Sequence, residues 1–267
     1  MVGGHIAFKF KSLFSGSSGN AYLLWTSATA VLVDFAPGSQ RACREALAVA
    51  AKTCGPLAAV VVTHAHGDHI NRNSLKVLEE AGLKVFCHPG VRQQIIARHG
   101  AKHAGIISSF TGHLAVGDLK IQYTEVDHAP GFHTTAFTFT TKRGGKERKA
   151  SVFTDFSRFT EAHAAFAANS DLLLLEANHD AALLERFGHP GSEFHLSNLK
   201  AAEFLHRVCQ LGPAPQAVVL GHLSGECNAP HLPPKEIEEF FRKKGLPVKF
   251  RIQVAERGEP GAVIVLR

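Results

Sequence analysis

The run His64-Ala65-His66-Gly67-Asp68-His69 constrains this chain more than any other feature. Three imidazoles and a carboxylate fall within six residues, directly after the continuous apolar run Leu57–Val62. An unbroken apolar run of strand length reads as a strand buried on both faces. A strand end is a fixed platform, and Gly67 relaxes the following loop so that ligands can converge. Imidazole suits zinc, manganese or iron, and Asp68 adds anionic charge. Two imidazoles, then a carboxylate and a third imidazole, can serve two adjacent cations. The bland alternative is a His-rich surface loop, and the buried strand before the box speaks against it.

The rest of the chain supplies a scaffold. Its patterning predicts strands at Ile6–Phe14, Tyr22–Thr26 and Ala30–Asp34, and a helix over Gln40–Thr53. Helices at Asn73–Ala81 and Val91–His99 flank a short strand at Lys84–Cys87. The middle is strand-rich, with Leu119–Val126, Thr134–Thr141 and Ala150–Thr154 carrying β-branched and aromatic residues. A helix over Thr160–Ala168 and buried strands at Asp171–Glu176 and Gln216–Gly221 follow. Ser197 reads as the cap of a helix over Asn198–Cys209, with an apolar stripe of Leu199, Ala202, Leu205 and Val208/Cys209. Pro233-Pro234 opens a last helix, and strands at Val248–Val254 and Ala262–Leu266 finish the chain. Mixed strands and helices in both halves predict an α/β fold with two sheets and helices outside. With no internal repeat, low-complexity segment or linker, residues 1–267 read as one domain.

Composition narrows the setting. Apolar residues make 45% and charged residues 19%, which excludes a disordered chain. Five cysteines with no C-x-x-C spacing argue against a disulfide framework and for a reducing compartment. The start has no signal-peptide pattern and no stretch of membrane-spanning length exists, so a soluble cytoplasmic protein is expected, with no membrane partner. The net charge of +6 permits an anionic partner without requiring one. The 17 histidines make a metal enzyme a live idea.

The H-x-H-x-D-H box resembles that of the metallo-β-lactamase superfamily, and four further motifs follow the pattern in order. Asp34 ends a strand after Val31-Leu32-Val33. His128 lies in Val126-Asp127-His128-Ala129-Pro130, with His133 as its rival. Asp155 follows Phe153-Thr154, and His222 follows Leu220-Gly221, with His231 as its rival. The resemblance implies a four-layer αββα sandwich. It implies one metal site of His64, His66 and His128 and a second of Asp68, His69 and His222. Asp155 would bridge them, and Asp34 would support the metal loop. Two divalent ions, zinc or manganese with iron as an alternative, are the implied cofactors.

Four segments narrow the resemblance to the YycJ/WalJ nuclease group: Leu13–Asn20, Leu175–Asp180, His195-Leu196-Ser197 and Gly221–Ser224. That implies a 5′-exonuclease on DNA rather than RNA, with no inserted nucleic-acid-clamping domain. A hydroxide between two metals would attack phosphorus in line, with Asp68 and His195 as catalytic residues. One departure is Gly225-Glu226-Cys227-Asn228, where the group usually has a Glu-Asn-Asn run. Ser17, Ser18 and Asn20 sit in a loop suited to phosphate, and His195 and Ser197 lie at a helix start that favours an anion. Ordinary turn and capping roles are the alternatives. Asn178 and His179 are expected behind the ligands or at the substrate. The basic hairpin tip (Lys142, Arg143, Lys146, Arg148, Lys149) suits nucleic-acid phosphates or mere solvation. A small-molecule hydrolase of the same fold and a non-catalytic regulatory protein are the competing readings.

Overall fold

The computed structural model describes residues 8–188 and 191–266. The first half runs β1 (Phe8–Phe14), β2 (Ala21–Trp25), β3 (Ala30–Val33), α1 (Gln40–Cys54), β4 (Ala59–Val62), α2 (Arg72–Glu80), β5 (Val85–Cys87), α3 (Pro89–His99) and β6 (Ile107–Ser109). The second half runs β7 (His113–Val116), β8 (Leu119–Val126), β9 (Thr134–Arg143), β10 (Lys146–Phe153), α4 (Glu161–Ala167), β11 (Leu172–Glu176), α5 (Ala181–Phe187), α6 (Asn198–Leu211), β12 (Ala217–Gly221), α7 (Leu232–Lys243), β13 (Arg251–Val254) and β14 (Ile264–Leu266).

Two seven-stranded mixed sheets form, in the orders β14-β1-β2-β3-β4-β5-β6 and β13-β12-β11-β10-β9-β8-β7. The apolar runs explain why they stack with helices on both outer faces. Along β3 and β4, Val31, Val33, Ala59 and Val61 join a core between the sheets, while Leu32, Val60 and Val62 join one under α1–α3. Along β11, Leu172 and Leu174 face the core between the sheets, and Leu173 and Leu175 face α4, α6 and α7. A strand with two apolar faces needs a partner layer on each, which gives the four-layer αββα sandwich. No described helix is long and apolar enough to cross a membrane.

Several expectations shift. Ile6 and Ala7 of the first expected strand lie outside the described residues. Strands β6 and β7 and helix α5 are short elements that the patterning did not reveal. The stripe on α6 holds at Ala202, Leu205 and Val208 but not at its first position. Leu199 is 43% exposed, whereas Asn198, Ala201, Ala202, Phe204, Leu205 and Val208 are buried. Asn198 takes the inward place because its amide is matched by that of Asn228, at 2.9 and 3.2 Å.

Parallel pairing fixes where the functional residues gather. Strands β3–β6 and β10–β13 run parallel within their sheets. Asp34, His64, Asp155, Glu176 and His222 all stand at or just beyond the carboxyl ends of these strands. That edge is where open α/β sheets bind ligands.

Candidate metal centre

Among the described residues, three of the four non-glycine positions with positive φ are Asp34 (55°), Asp155 (59°) and His222 (54°). Asp34 and His222 follow directly on a strand, and Asp155 follows β10 after one intervening residue. A left-handed residue there turns the chain sharply, and such backbone strain clusters at functional sites.

Asp34 organises the loop that carries the box. Its Oδ1 accepts the Thr63 N–H at 2.8 Å, and its Oδ2 accepts the His69 Nδ1–H at 2.8 Å. The Thr63 hydroxyl donates to the same carboxylate and so can accept the His64 Nδ1–H at 3.1 Å. His128 Nδ1 donates to the Phe194 carbonyl at 2.9 Å, and His222 Nδ1 donates to Glu176 Oε1 at 3.0 Å. Four rings are therefore held through Nδ1, and each turns an Nε2 inward that offers a lone pair once the ring is neutral.

Those lone pairs converge. His66 Nδ1 lies 2.9 Å from His64 Nε2 and 3.2 Å from His128 Nε2. His69 Nε2 lies 3.1 Å from Asp155 Oδ2 and 3.5 Å from Asp68 Oδ2. His222 Nε2 is 3.3 Å from Asp68 Oδ2 and 3.5 Å from Asp155 Oδ1. Donor atoms of His64, His66 and His128 lie within 4.8 Å of one another, as do those of Asp68, His69 and His222, and those of His64, His69 and Asp155. Asp155 is thus shared between the two halves of the cluster. Its Oδ2 is buried and has no hydrogen-bond partner among the described residues, with His69 Nε2 3.1 Å away. Inward lone pairs around an orphaned carboxylate oxygen are a donor set that fits divalent cations.

The electrostatics agree. Asp34, Asp155 and Glu176 are buried and Asp68 is partly so. Burial opposes charge on His222, but Asp155, Asp68 and Glu176 overcome it and raise its pKa to about 10. His69 is likewise raised against burial by Asp155, Asp34 and Asp68. Burial works against ionised Asp68 and Asp155 too, yet the surrounding imidazoles hold both well below the usual carboxylate range. His64, His66 and His128 go the other way. Burial, joined by neighbouring imidazoles, lowers all three, His66 to about 4. The centre therefore has an acidic half that calls for positive charge and a neutral half rich in nitrogen donors.

Glu176 is the residue that motif reading left out of the site. Its Oε1 accepts from His195 Nδ1 at 2.7 Å as well as from His222, and its Oε2 accepts the Phe156 and Leu196 N–H groups. A lone acid closing the apolar run Leu172–Leu175 was the available signal, the same one that marks Asp34. A second missed group joins the two halves. Ser15 Oγ accepts the His222 N–H at 2.9 Å and donates to Tyr22, whose hydroxyl donates to Asn20.

The structure sorts the remaining expected residues. His128 and His222 sit in the cluster. Their rivals do not: His133 faces Glu125 at 3.7 Å, and His231 stands at the start of α7. His88 lies near His133 and Glu125, but its Nδ1 accepts the Gly90 N–H, so its Nε2 carries the proton and points a donor at Glu125. Asn20 is buried behind the box, its amide on the Asp68 carbonyl and close to His69 Nε2, while Ser17 and Ser18 are exposed. Asn178 donates to the His222 carbonyl at 2.9 Å. His179 is buried, and its backbone bridges to Ser197. The Ser197 hydroxyl caps α6 by accepting the Lys200 N–H. The basic tip lies at the opposite end of β10 from Asp155, roughly 25 Å away over eight residues. There Arg148 pairs with Asp171, and Lys149 donates to the Phe166 and Ala168 carbonyls.

Fold and site together define a metallo-hydrolase. Residues 29–223 match the family model described as the beta-lactamase superfamily domain, and the chain belongs to that superfamily. It is 31% identical over 246 residues to the exodeoxyribonuclease WalJ of Streptococcus pneumoniae, covering 85% of this chain and 86% of that protein. Among solved structures it is similar in fold to a diphosphatase of the PhnP family, with TM-score 0.63 and 18% identity over 97% and 98% of the two chains. It is also similar in fold to zinc-bound PqqB from Methylobacterium extorquens, with TM-score 0.66 and 13% identity over 95% and 99%. The chain is therefore a metallo-β-lactamase-superfamily hydrolase with a divalent-metal site.

Proposed function

We propose that this chain is a metal-dependent phosphodiesterase that works as a 5′-exonuclease on DNA in the cytoplasm. The observation that carries the reading is the 31% identity to an exodeoxyribonuclease across 85% of the chain, with every expected ligand position gathered at one sheet edge.

His64, His66 and His128 would hold one divalent ion and Asp68, His69 and His222 a second, with Asp155 between them. Zinc or manganese suits this nitrogen-rich set, and iron is the alternative. Bound there, two such ions supply Lewis-acid polarisation of the phosphoryl group and a water of lowered pKa.

The chain's own residues do the rest. Asp68, its side chain 22% accessible, presents a carboxylate that can orient the attacking water and take its proton. His195 is fixed by Glu176, with its ring against those of His128 and His222 at 5.0 and 5.2 Å. Burial disfavours its charge, but Glu176 and Asp155 raise its pKa. Its side chain is 21% accessible, so a protonated Nε2 can reach a phosphoryl or leaving oxygen. Asp34, Asn178 and His179 act behind the ligands and hold the loops in place.

The test uses protein loaded with Zn²⁺ or Mn²⁺ and 5′-phosphorylated DNA. Metal-dependent release of nucleotides from the 5′ end is expected. Hydrolysis of bis-nitrophenyl phosphate or a thioester without cleavage of DNA or RNA would replace this reading with a small-molecule hydrolase.

A further inference from the structure

On the His222 side of the centre, the Arg257 side chain lies across two loops that hold it in place. Its Nη2 donates to the carbonyl of Leu223, the residue directly after His222. Its Nε and Cγ pack over Gly16, where a Cβ would come within 3.2–3.3 Å, and Gly16 follows Ser15, which accepts the His222 N–H. A Cβ on Gly225 would collide with the guanidinium. Both glycines therefore make room for this one side chain, and both of its seats are one residue away from a group in or touching His222.

The guanidinium is left without a counter-charge. Arg44, Arg148, Arg158 and Arg207 each pair with a carboxylate, but among the described residues none pairs with Arg257 within 4.0 Å. Partial burial lowers its pKa, as expected for a cation short of water. It lines a cavity of about 340 Å³ together with Ser224, Asn228, Pro230 and Glu256. The Asn228 amide is occupied by Ala177 and Asn198. Ser224 Oγ accepts the Cys227 N–H and keeps its own proton to donate. Glu256 is the one acid lining the space. A fixed fork with donors to spare and no counter-charge suits an anion with several oxygens.

We propose that Arg257 and this cavity form a subsite for a phosphate of the nucleic-acid strand next to the one that is cleaved. The proposal rests on the phosphodiesterase reading above and adds the group that grips the strand beyond the scissile bond.

The experiment compares metal-loaded wild type, Arg257→Ala, Arg257→Lys and Glu256→Gln on two substrates. One is a 5′-phosphorylated single-stranded DNA oligonucleotide, and the other is bis-nitrophenyl phosphate, which has no neighbouring phosphate. For Arg257→Ala, KM for DNA should rise about tenfold with kcat nearly unchanged, as for loss of one charged contact. Its slope of log KM against log salt should flatten by about 0.7, the value for one single-strand phosphate contact. Hydrolysis of bis-nitrophenyl phosphate should not change. Arg257→Lys should recover part of the KM, and Glu256→Gln should lower KM for DNA. An unchanged KM for DNA overturns the proposal. So does an equal loss on both substrates, which would make Arg257 a structural clamp. Wild type that cleaves bis-nitrophenyl phosphate but not DNA removes the nuclease reading itself, and the subsite with it.

Discussion

His195 Nδ1 donates to Glu176 Oε1 across 2.7 Å. The same oxygen accepts from His222 Nδ1 at 3.0 Å, so one buried carboxylate orients both a proposed ligand and a proposed proton donor. Replacing Glu176 by Gln keeps the shape and removes the charge. Metal affinity or activity should fall by about 10–100-fold, the usual cost of losing a group that orients a ligand. The His195 pKa should drop, because Glu176, ahead of Asp155, raises it. The protonated form is then lost at lower pH, so the alkaline limb of kcat should move to lower pH. Metal titration and a pH–rate profile check both effects, and an unmoved alkaline limb would remove His195 from the proton transfer.

The chelated protein should be most stable near the ordinary histidine pKa of about 6.5. His69, His195 and His222 are raised in the folded state, so their contribution is full below about 6.5 and is lost as pH climbs, to about 10 for His222. His64, His66 and His128 are lowered, so their contribution is full above about 6.5 and is lost as pH falls, to about 4 for His66. Asp68, Asp155 and Glu176 are depressed, Glu176 to about 2, and they add a further loss below about pH 4. Thermal melts from acid to alkaline pH should trace a dome, flattened on its alkaline side when metal is added. A stability that rises steadily through pH 9 would contradict this charge arrangement.

Ser197→Ala should cost stability and leave catalysis alone. The hydroxyl caps α6 through the Lys200 N–H at 3.2 Å, and losing such a cap costs about 0.5–2 kcal/mol. Denaturant melts should show that loss while kcat/KM on DNA stays level. A large fall in kcat/KM at unchanged stability would place Ser197 on the substrate.

Changing Lys142 and Lys146 to Ala should leave DNA cleavage unaffected. Both are exposed at the tip between β9 and β10, at the far end of the sheet from Asp155. KM and its salt dependence for a short oligonucleotide are the measurements. A raised KM would mean that the strand wraps around that end.

The core was legible because its strands are unambiguous. Leu172–Leu175 and Ala59–Val62 are short and apolar without alternation, as strands covered on both faces are. Short elements were not legible, since three residues such as Ile107–Ser109 carry no period to count. The α6 stripe failed only at Leu199, because periodicity reads hydrophobicity, while Asn198 is buried through a pairing with Asn228, thirty positions away.

The sequence alone located the box and its strand platform, because those signals are local: residue type, strand end and spacing. The later acids and histidines came from the resemblance to a family's ordered motifs. Tertiary structure decided which side chains gather: His128 and His222 join the cluster, while His133 and His231 lie outside it. It also gave Asn20 and Ser197 hydrogen bonds to the chain itself and revealed the positions of Glu176, Ser15 and Arg257. Those outcomes depend on which atoms from distant strands meet at one sheet edge. Strand pairing sets that meeting, and no single segment encodes it.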